Sequence, residues 1–247
     1  MNRLVLCLLP LFALAAHAND VSKVNGSVRV RAGETVEDVS SVNGGIHIDE
    51  NATAKHVETV NGGIDIGSGS TVESVETVNG GIRLGDGAKA TEITTVNGGL
   101  TIGENTRIAK SMSAVNGSIQ LAKGAEVGGE LSNTNGKIAM EGAHVVGLIS
   151  TTNGGIDIGA NSRVDGGIHV EKNSNWLGFS SHNKPPRIVI GPNAVVKGTL
   201  KFDRPVMLLV SDRATVGKIA GAKPVTFKGD QPSDADERAA YEMVEKE

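Results

Sequence analysis

The sequence predicts an all-β chain wound as a single-stranded parallel β-solenoid of about ten coils, 18–19 residues each, with a short C-terminal helical tail. Three observations carry that prediction. Asn-Gly recurs at Asn25, Asn43, Asn61, Asn79, Asn97, Asn116, Asn135 and Asn153, at spacings of 18, 18, 18, 18, 19, 19 and 18, and a short fixed period marks a repeat architecture. An aliphatic residue with a partner six later extends further, as Val30/Val36, Ile48/Ala54, Ile66/Val72, Leu84/Ala90, Ile102/Ile108, Leu121/Val127, Met140/Val146, Ile158/Val164, Ile190/Val196 and Val210/Val216. Finally, the aromatic residues are Phe12, Trp176, Phe179, Phe202, Phe227 and Tyr241, so residues 19–175 hold none. Aromatics dominate ordinary globular cores, which leaves a narrow aliphatic core.

The chain opens with a secretory signal over residues 1–18: Arg3, an apolar run over residues 4–16 and a small-x-small cleavage site at Ala16-His17-Ala18. That run falls short of the ~20 residues needed to span a bilayer, so no membrane span is expected. The single cysteine, Cys7, lies inside the run, without the preceding small residues that lipid attachment requires. Cleavage after Ala18 leaves a chain without disulfides or thiol chemistry. The expected destination is the periplasm, the cell surface or the exterior.

The solenoid domain is expected over residues 19–228. Within one repeat, Ile64-Asp65-Ile66 alternates, Thr71-Val72-Glu73 follows and Val75-Glu76-Thr77-Val78 closes the unit, with Gly, Ser and Asn between them as turn chemistry. Asn-Gly is also the strongest short hairpin signal, but runs of about three and then eight residues pair badly as hairpins. Three short strands per repeat fit a triangular coil, each strand stacked on its equivalent about 4.8 Å away. The Asn column is then a structural ladder of stacked amides, and the first Gly after each Asn can take φ > 0 at a corner without a Cβ penalty. Right-handed winding is favoured because parallel crossovers are almost always right-handed; the six-residue spacing is like that of left-handed hexapeptide helices, but Val75-type positions break it.

Between Ile158 and Ile190 the spacing stretches to 32 residues, placing an insertion loop at residues 171–187 with Trp176, Phe179 and His182. Long loops on rigid scaffolds are where function concentrates, and these three residues are candidates for partner contact; the plainer reading is that Trp176 and Phe179 cover a flank. Residues 229–247 form an acidic tail. Ser233 and Asp234 read as a helix start, with Ala240, Met243 and Val244 on one face, suited to a capping helix.

The Val-Asn-Gly-Gly-Ile-x-Ile units, such as Val60-Asn61-Gly62-Gly63-Ile64-Asp65-Ile66, resemble the β-strand-repeat proteins of bacterial envelopes classed with adhesins. The stretch Ile188-Val189-Ile190-Gly191-Pro192-Asn193-Ala194-Val195-Val196-Lys197-Gly198-Thr199-Leu200 is similar to the repeats of bactofilins, polymer-forming bacterial scaffold proteins. The resemblance covers about residues 24–220. It implies a β-helix and a scaffold or adhesive role; a leader peptide departs from the bactofilin pattern.

Charge is mild, with 24 basic and 28 acidic residues, so the sequence lacks the basic footprint of a nucleic-acid binder and the aromatic ladder on which bases stack. His47, His56, His144 and His169 fall in different coils, and His47, Asp65 and Arg83 read as a neutral cross-strand column. The Gly-x-Asp spacing of calcium-binding nonapeptides is missing. Thr59, Thr77 and Thr95 form a column that raises ice binding, but Ala114 and Asn133 interrupt it and Glu58 and Glu76 flank it. The expectation is a non-catalytic scaffold or adhesin-like surface without cofactor or metal. Its expected partners are another copy at the N-terminal coils and an envelope polysaccharide or protein. The alternatives are a carbohydrate- or protein-binding module acting through the Trp176 loop and a β-helix polysaccharide-degrading enzyme.

Overall fold

A computed structural model describes residues 20–172 and 185–245. Each coil of the solenoid contributes one strand to a sheet of eleven parallel strands, which begins at Val28–Val30, continues through Ile46–Ile48, Ile64–Ile66 and Ile82–Leu84, and ends at Val225–Phe227. Eighteen further strands form a second parallel sheet that folds at a corner to supply the other two walls. In Thr53–Asn61 and Thr71–Asn79 one unbroken strand turns that corner. The expected leader at residues 1–18, and Trp176, Phe179 and His182, lie outside the described residues.

Alternation within each short strand decides which side chains enter the core. Ile64, Ile66, Val72 and Val75 of one coil are at most 2% exposed, and each rests on its equivalents above and below. Complete burial of such an aliphatic contributes roughly 1.5–3 kcal/mol. One corner is lined by a stack of small residues, Ala52, Ser70, Ala88, Thr106, Ala125, Ala143, Ser162 and Ala194, all buried. The neighbouring turn takes a left-handed backbone in the first nine coils, met by Gly33, Asn51, Gly69, Gly87, Asn105, Gly124, Gly142, Asn161 and Asn193, the residue types that tolerate it best.

The structure refines the sequence reading at four points. The described residues form about eleven coils, one beyond the ten aliphatic pairs, because the last strand, Val225–Phe227, carries no partner six residues on. Its alternation is also inverted. Leu209 pairs with Val225 and Ser211 with Phe227, so Phe227 joins Val189 and Leu209 on the outward side of the sheet, where it is 1% exposed.

The second point corrects Met140/Val146. Val145, not Val146, stacks between Val127 and Val164; Val145 is buried and Val146 is 39% exposed. That corner is one residue shorter than its neighbours, so a strict six-residue step points the wrong valine inward.

Third, the first Gly after Asn does not generally need φ > 0. Only Gly26 and Gly136 of this series have it. Gly44, Gly62, Gly80, Gly98 and Gly117 are required for close approach, because a Cβ on any of them would fall 1.9–2.2 Å from the carbonyl oxygen of the corresponding Gly one coil earlier.

Fourth, Thr59, Thr77 and Thr95 do not form a surface row. They point inward and are at most 3% exposed, and a buried hydroxyl needs a partner. Thr59 donates to Gly44 O at 3.0 Å, Thr77 to Gly62 O at 3.0 Å and Thr95 to Gly80 O at 3.1 Å.

The tail forms a helix, Asp234–Glu245. Ser233 caps it: its Oγ accepts from the Asp236 amide while its own amide donates to Asp236 Oδ2 at 2.9 Å, the reciprocal arrangement of a capping box. The Ser233 hydroxyl, which donates to Asp236 Oδ2 at 2.6 Å, and then the Ser233 amide hold the Asp236 carboxyl below its ordinary pKa. The helix lies on the outward flank of the last coils. There Ala240 is buried with Val189, Leu209 and Phe227, and Arg187 donates to Glu237 at 2.8 and 3.0 Å. Met243 and Tyr241 are exposed and Val244 is half-buried.

Candidate functional site

The most regular surface feature is the corner that carries the asparagines. The register pairs Asn25 with Asn43, Asn43 with Asn61, Asn61 with Asn79, Asn79 with Asn97, Asn97 with Asn116 and Asn116 with Asn135. A parallel in-register stack sets identical side chains one strand spacing apart, which is the spacing an amide-to-amide hydrogen bond needs. Each Asn from Asn43 to Asn153 donates its Nδ2 to the Oδ1 of the preceding rung, at 2.8–3.2 Å. All eight amides therefore point the same way.

The ladder has two unlike ends. Asn153 is the last rung, and its Oδ1 accepts from Arg204 Nη1 at 2.9 Å, with the Thr152 carbonyl taking a second bond from the same nitrogen at 3.2 Å. At the first rung, Asn25 Oδ1 accepts from Asn43, and Asn25 belongs to the exposed strand Val21–Asn25. Arg204 was not anticipated from the sequence. The alignment was nevertheless present: Thr151 pairs with Val170 and Val170 with Phe202, so Arg204 stands two residues past Phe202 as Asn153 stands two past Thr151.

Just inside this corner a second file of polar groups seals the backbone. Ser41 donates to Gly26 O at 3.4 Å, the threonines follow as above, and Asn133 Nδ2 donates to Gly117 O at 2.6 Å. The carbonyls of Gly26, Gly44, Gly62, Gly80 and Gly117 thus each meet a hydroxyl or amide within the core and the bare Cα of the next glycine outside it, while Ala114 leaves a gap in the file at Gly98. Gly62 and Thr59 converge in this way on Gly44 O.

Charged side chains are mostly coupled coil to coil. His47 and Arg83 both reach Asp65, at 3.2 and 3.3 Å, and their strands pair in register. Arg29 reaches Asp49, Lys55 reaches Glu37 and Lys137 reaches Asp157. Exposed pairs of this kind contribute roughly 0–1 kcal/mol, so their effect is mainly to keep the walls close to neutral.

Two denser clusters lie in the later coils. Asp165 receives His144 at 2.9 Å, Arg163 at 3.0 Å and Lys197 at 3.2 Å. The hydrogen bond from His144, aided by those from Arg163 and Lys197, lowers the Asp165 carboxyl to about 2. Asp203 receives His169 at 2.7 Å and Lys201 at 3.0 Å, and the His169 hydrogen bond leads the lowering of its pKa. Like charge prevails elsewhere: Glu58 stands directly opposite Glu76, and its carboxyl is raised by partial burial first, then by Glu76 and Asp38.

His47, His144 and His169 therefore each lie beside a carboxylate, in three separate clusters. Among the described residues no group of three or more His, Cys, Asp or Glu is placed to hold a metal ion. No described helix is long and apolar enough to cross a membrane. No family model, curated protein or solved structure matches the chain.

Proposed function

We propose that this chain is an exported envelope protein whose solenoid acts as a non-catalytic scaffold or adhesin-like surface. The observation that supports this reading most is the asparagine ladder, which runs without a break from Asn25 to Asn153 and closes on Arg204. Such a continuous stack makes a straight, stiff edge with the same amide presented at every coil. Export rests on the leader-like residues 1–18, and the envelope assignment on the resemblance of the repeats to envelope β-strand proteins and bactofilins.

Self-association at the first coils belongs to the same reading. Val24 is 63% exposed, and among the described residues its strand pairs only with Asp38–Asn43. A strand with one free edge is a template for another chain.

Cell fractionation combined with negative-stain imaging of the purified chain tests the proposal. Recovery in the periplasmic or surface fraction as short rods, retained by isolated envelope polysaccharide or protein, is the expected result. Recovery in the cytoplasm would overturn the envelope assignment, and turnover of a polysaccharide by the purified chain would overturn the non-catalytic one.

A further inference from the structure

Eight Asn-Gly dipeptides in one chain are eight places where asparagine can convert spontaneously. A following glycine has no Cβ to hinder its backbone nitrogen from approaching the asparagine side chain. That nitrogen loses its proton to solvent base and forms a bond to Cγ; the Cγ–Nδ2 bond breaks and the nitrogen leaves as ammonia, taking protons from water. One water molecule then opens the five-membered imide at either carbonyl, leaving aspartate or isoaspartate. The balance is one water in and one ammonia out.

The attacking nitrogen must be free of other engagement, and here the fold separates the eight sites. The N–H groups of Gly26, Gly44, Gly62, Gly80, Gly98 and Gly117 each donate to the backbone oxygen of the next coil's asparagine at 2.9–3.0 Å. Gly154 N–H donates to Thr151 Oγ1 at 3.0 Å. Gly136 N–H has no acceptor among the described residues.

The cause is an early end of backbone pairing at the eighth coil, the 18-residue register itself being kept. Strand Ile149–Thr151 ends early, so its pairing with Leu131–Asn135 stops at Asn133↔Thr151, whereas earlier coils pair through to the asparagines. Asn153 N–H keeps its ladder bond to Thr134 O at 2.9 Å, but the corner at Gly136 takes φ +136° and the return bond from Gly136 N–H is not made.

We propose that Asn135 is the deamidation site of this protein, selected by the unbonded N–H of Gly136. The modification would act on the ladder itself. A carboxylate at position 135 still accepts from Asn153 but has no N–H to give Asn116 Oδ1, with which Asn135 now bonds at 2.8 Å. The stack would then part into a lower segment ending at Asn116 and an upper one held by Asn153 and Arg204.

The test compares all eight sites in one molecule. The mature chain is held folded at mildly alkaline pH, a second sample is held in concentrated urea, and peptide mapping by mass spectrometry counts aspartate and isoaspartate at each Asn-Gly over time. In urea the eight sites should convert at similar rates. In the folded chain Asn135 should convert first and the other seven roughly tenfold more slowly, the factor set by one backbone hydrogen bond that must open. First conversion at Asn25 or any other rung, equal rates at all eight in the folded chain, or a folded chain inert at Asn135 would each overturn the proposal.

Discussion

Arg204 closes the asparagine ladder by donating from Nη1 to Asn153 Oδ1 at 2.9 Å, across 51 residues of sequence. The last amide oxygen of an aligned stack is its most electron-rich, and a guanidinium is the donor that satisfies it best. Replacing Arg204 by Ala removes this bond and the one to Thr152 O. The expected cost is about 1.5–3 kcal/mol, the range for hydrogen bonds to charged groups. Urea unfolding of the two proteins measures it, and an unchanged midpoint would show that water replaces Arg204 without loss.

Glycine at the corners is tested by two adjacent positions. A Cβ at Gly62 would lie 2.2 Å from Gly44 O, whereas one at Gly63 would lie 3.4 Å from Gly81 O. Gly62→Ala should therefore destabilise by about 1–3 kcal/mol, the usual cost of overpacking, and Gly63→Ala by much less. Equal melting temperatures for the two variants would mean that the coils separate more easily than their packing implies.

The shortened corner after Met140 gives a second contrast. Val145→Asp places a carboxylate in the core and should cost several kcal/mol or force the group to protonate. Val146→Asp, on the exposed side, should stay within about 0.5 kcal/mol of the parent. The reverse order in thermal denaturation would restore a strict six-residue step.

Acid should act through Asp165 and Glu58 in opposite senses. The folded pKa of Asp165 lies at about 2, below the ordinary value of roughly 3.9. Its stabilising contribution is therefore complete above that ordinary value and is lost as the pH falls toward 2. Glu58 is raised, so its ionisation weakens the fold as the pH climbs through the carboxylate range. Glu58→Gln should then stabilise the chain at neutral pH and low salt, by up to about 1 kcal/mol for relief of a like-charged cross-strand pair. That gain should vanish in acid, where Glu58 is already neutral. A gain independent of pH would show that packing, not charge, is responsible.

The open edge of the first coil has a specific probe. Gly26 N–H and Val28 N–H both donate into the second coil, so alternation along a parallel strand turns Arg29 N–H toward the free edge. Arg29→Pro removes that outward donor and spares the inward ones. Analytical ultracentrifugation should find a dimer for the mature chain and for Arg29→Ala, and a monomer for Arg29→Pro. A monomer in all three would end the self-association proposal.

The sequence by itself determined the repeat, the aliphatic wall and the two side-chain files that lie on a constant period. When one residue recurs every 18 or 19 positions in a parallel stack, its neighbours above and below are given by the spacing. Asn61 on Asn43, and Asp65 between His47 and Arg83, follow from that alone.

What only the tertiary structure decided lies where the period slips or where two distant segments meet. A one-residue deletion exchanges Val145 for Val146, because side chains alternate between the two sides of a strand. The inward turn of Thr77 and the crowding at Gly62 depend on how closely the coils approach, a distance that residue types do not state. Arg204 reaches Asn153 only because Leu200–Phe202 stacks on Ile168–Val170 and that strand on Ile149–Thr151, which brings residues 51 apart to one corner. Phe227 faces outward because the helix, with Ala240 and the Arg187–Glu237 pair, covers an apolar flank that the repeat pattern would leave exposed.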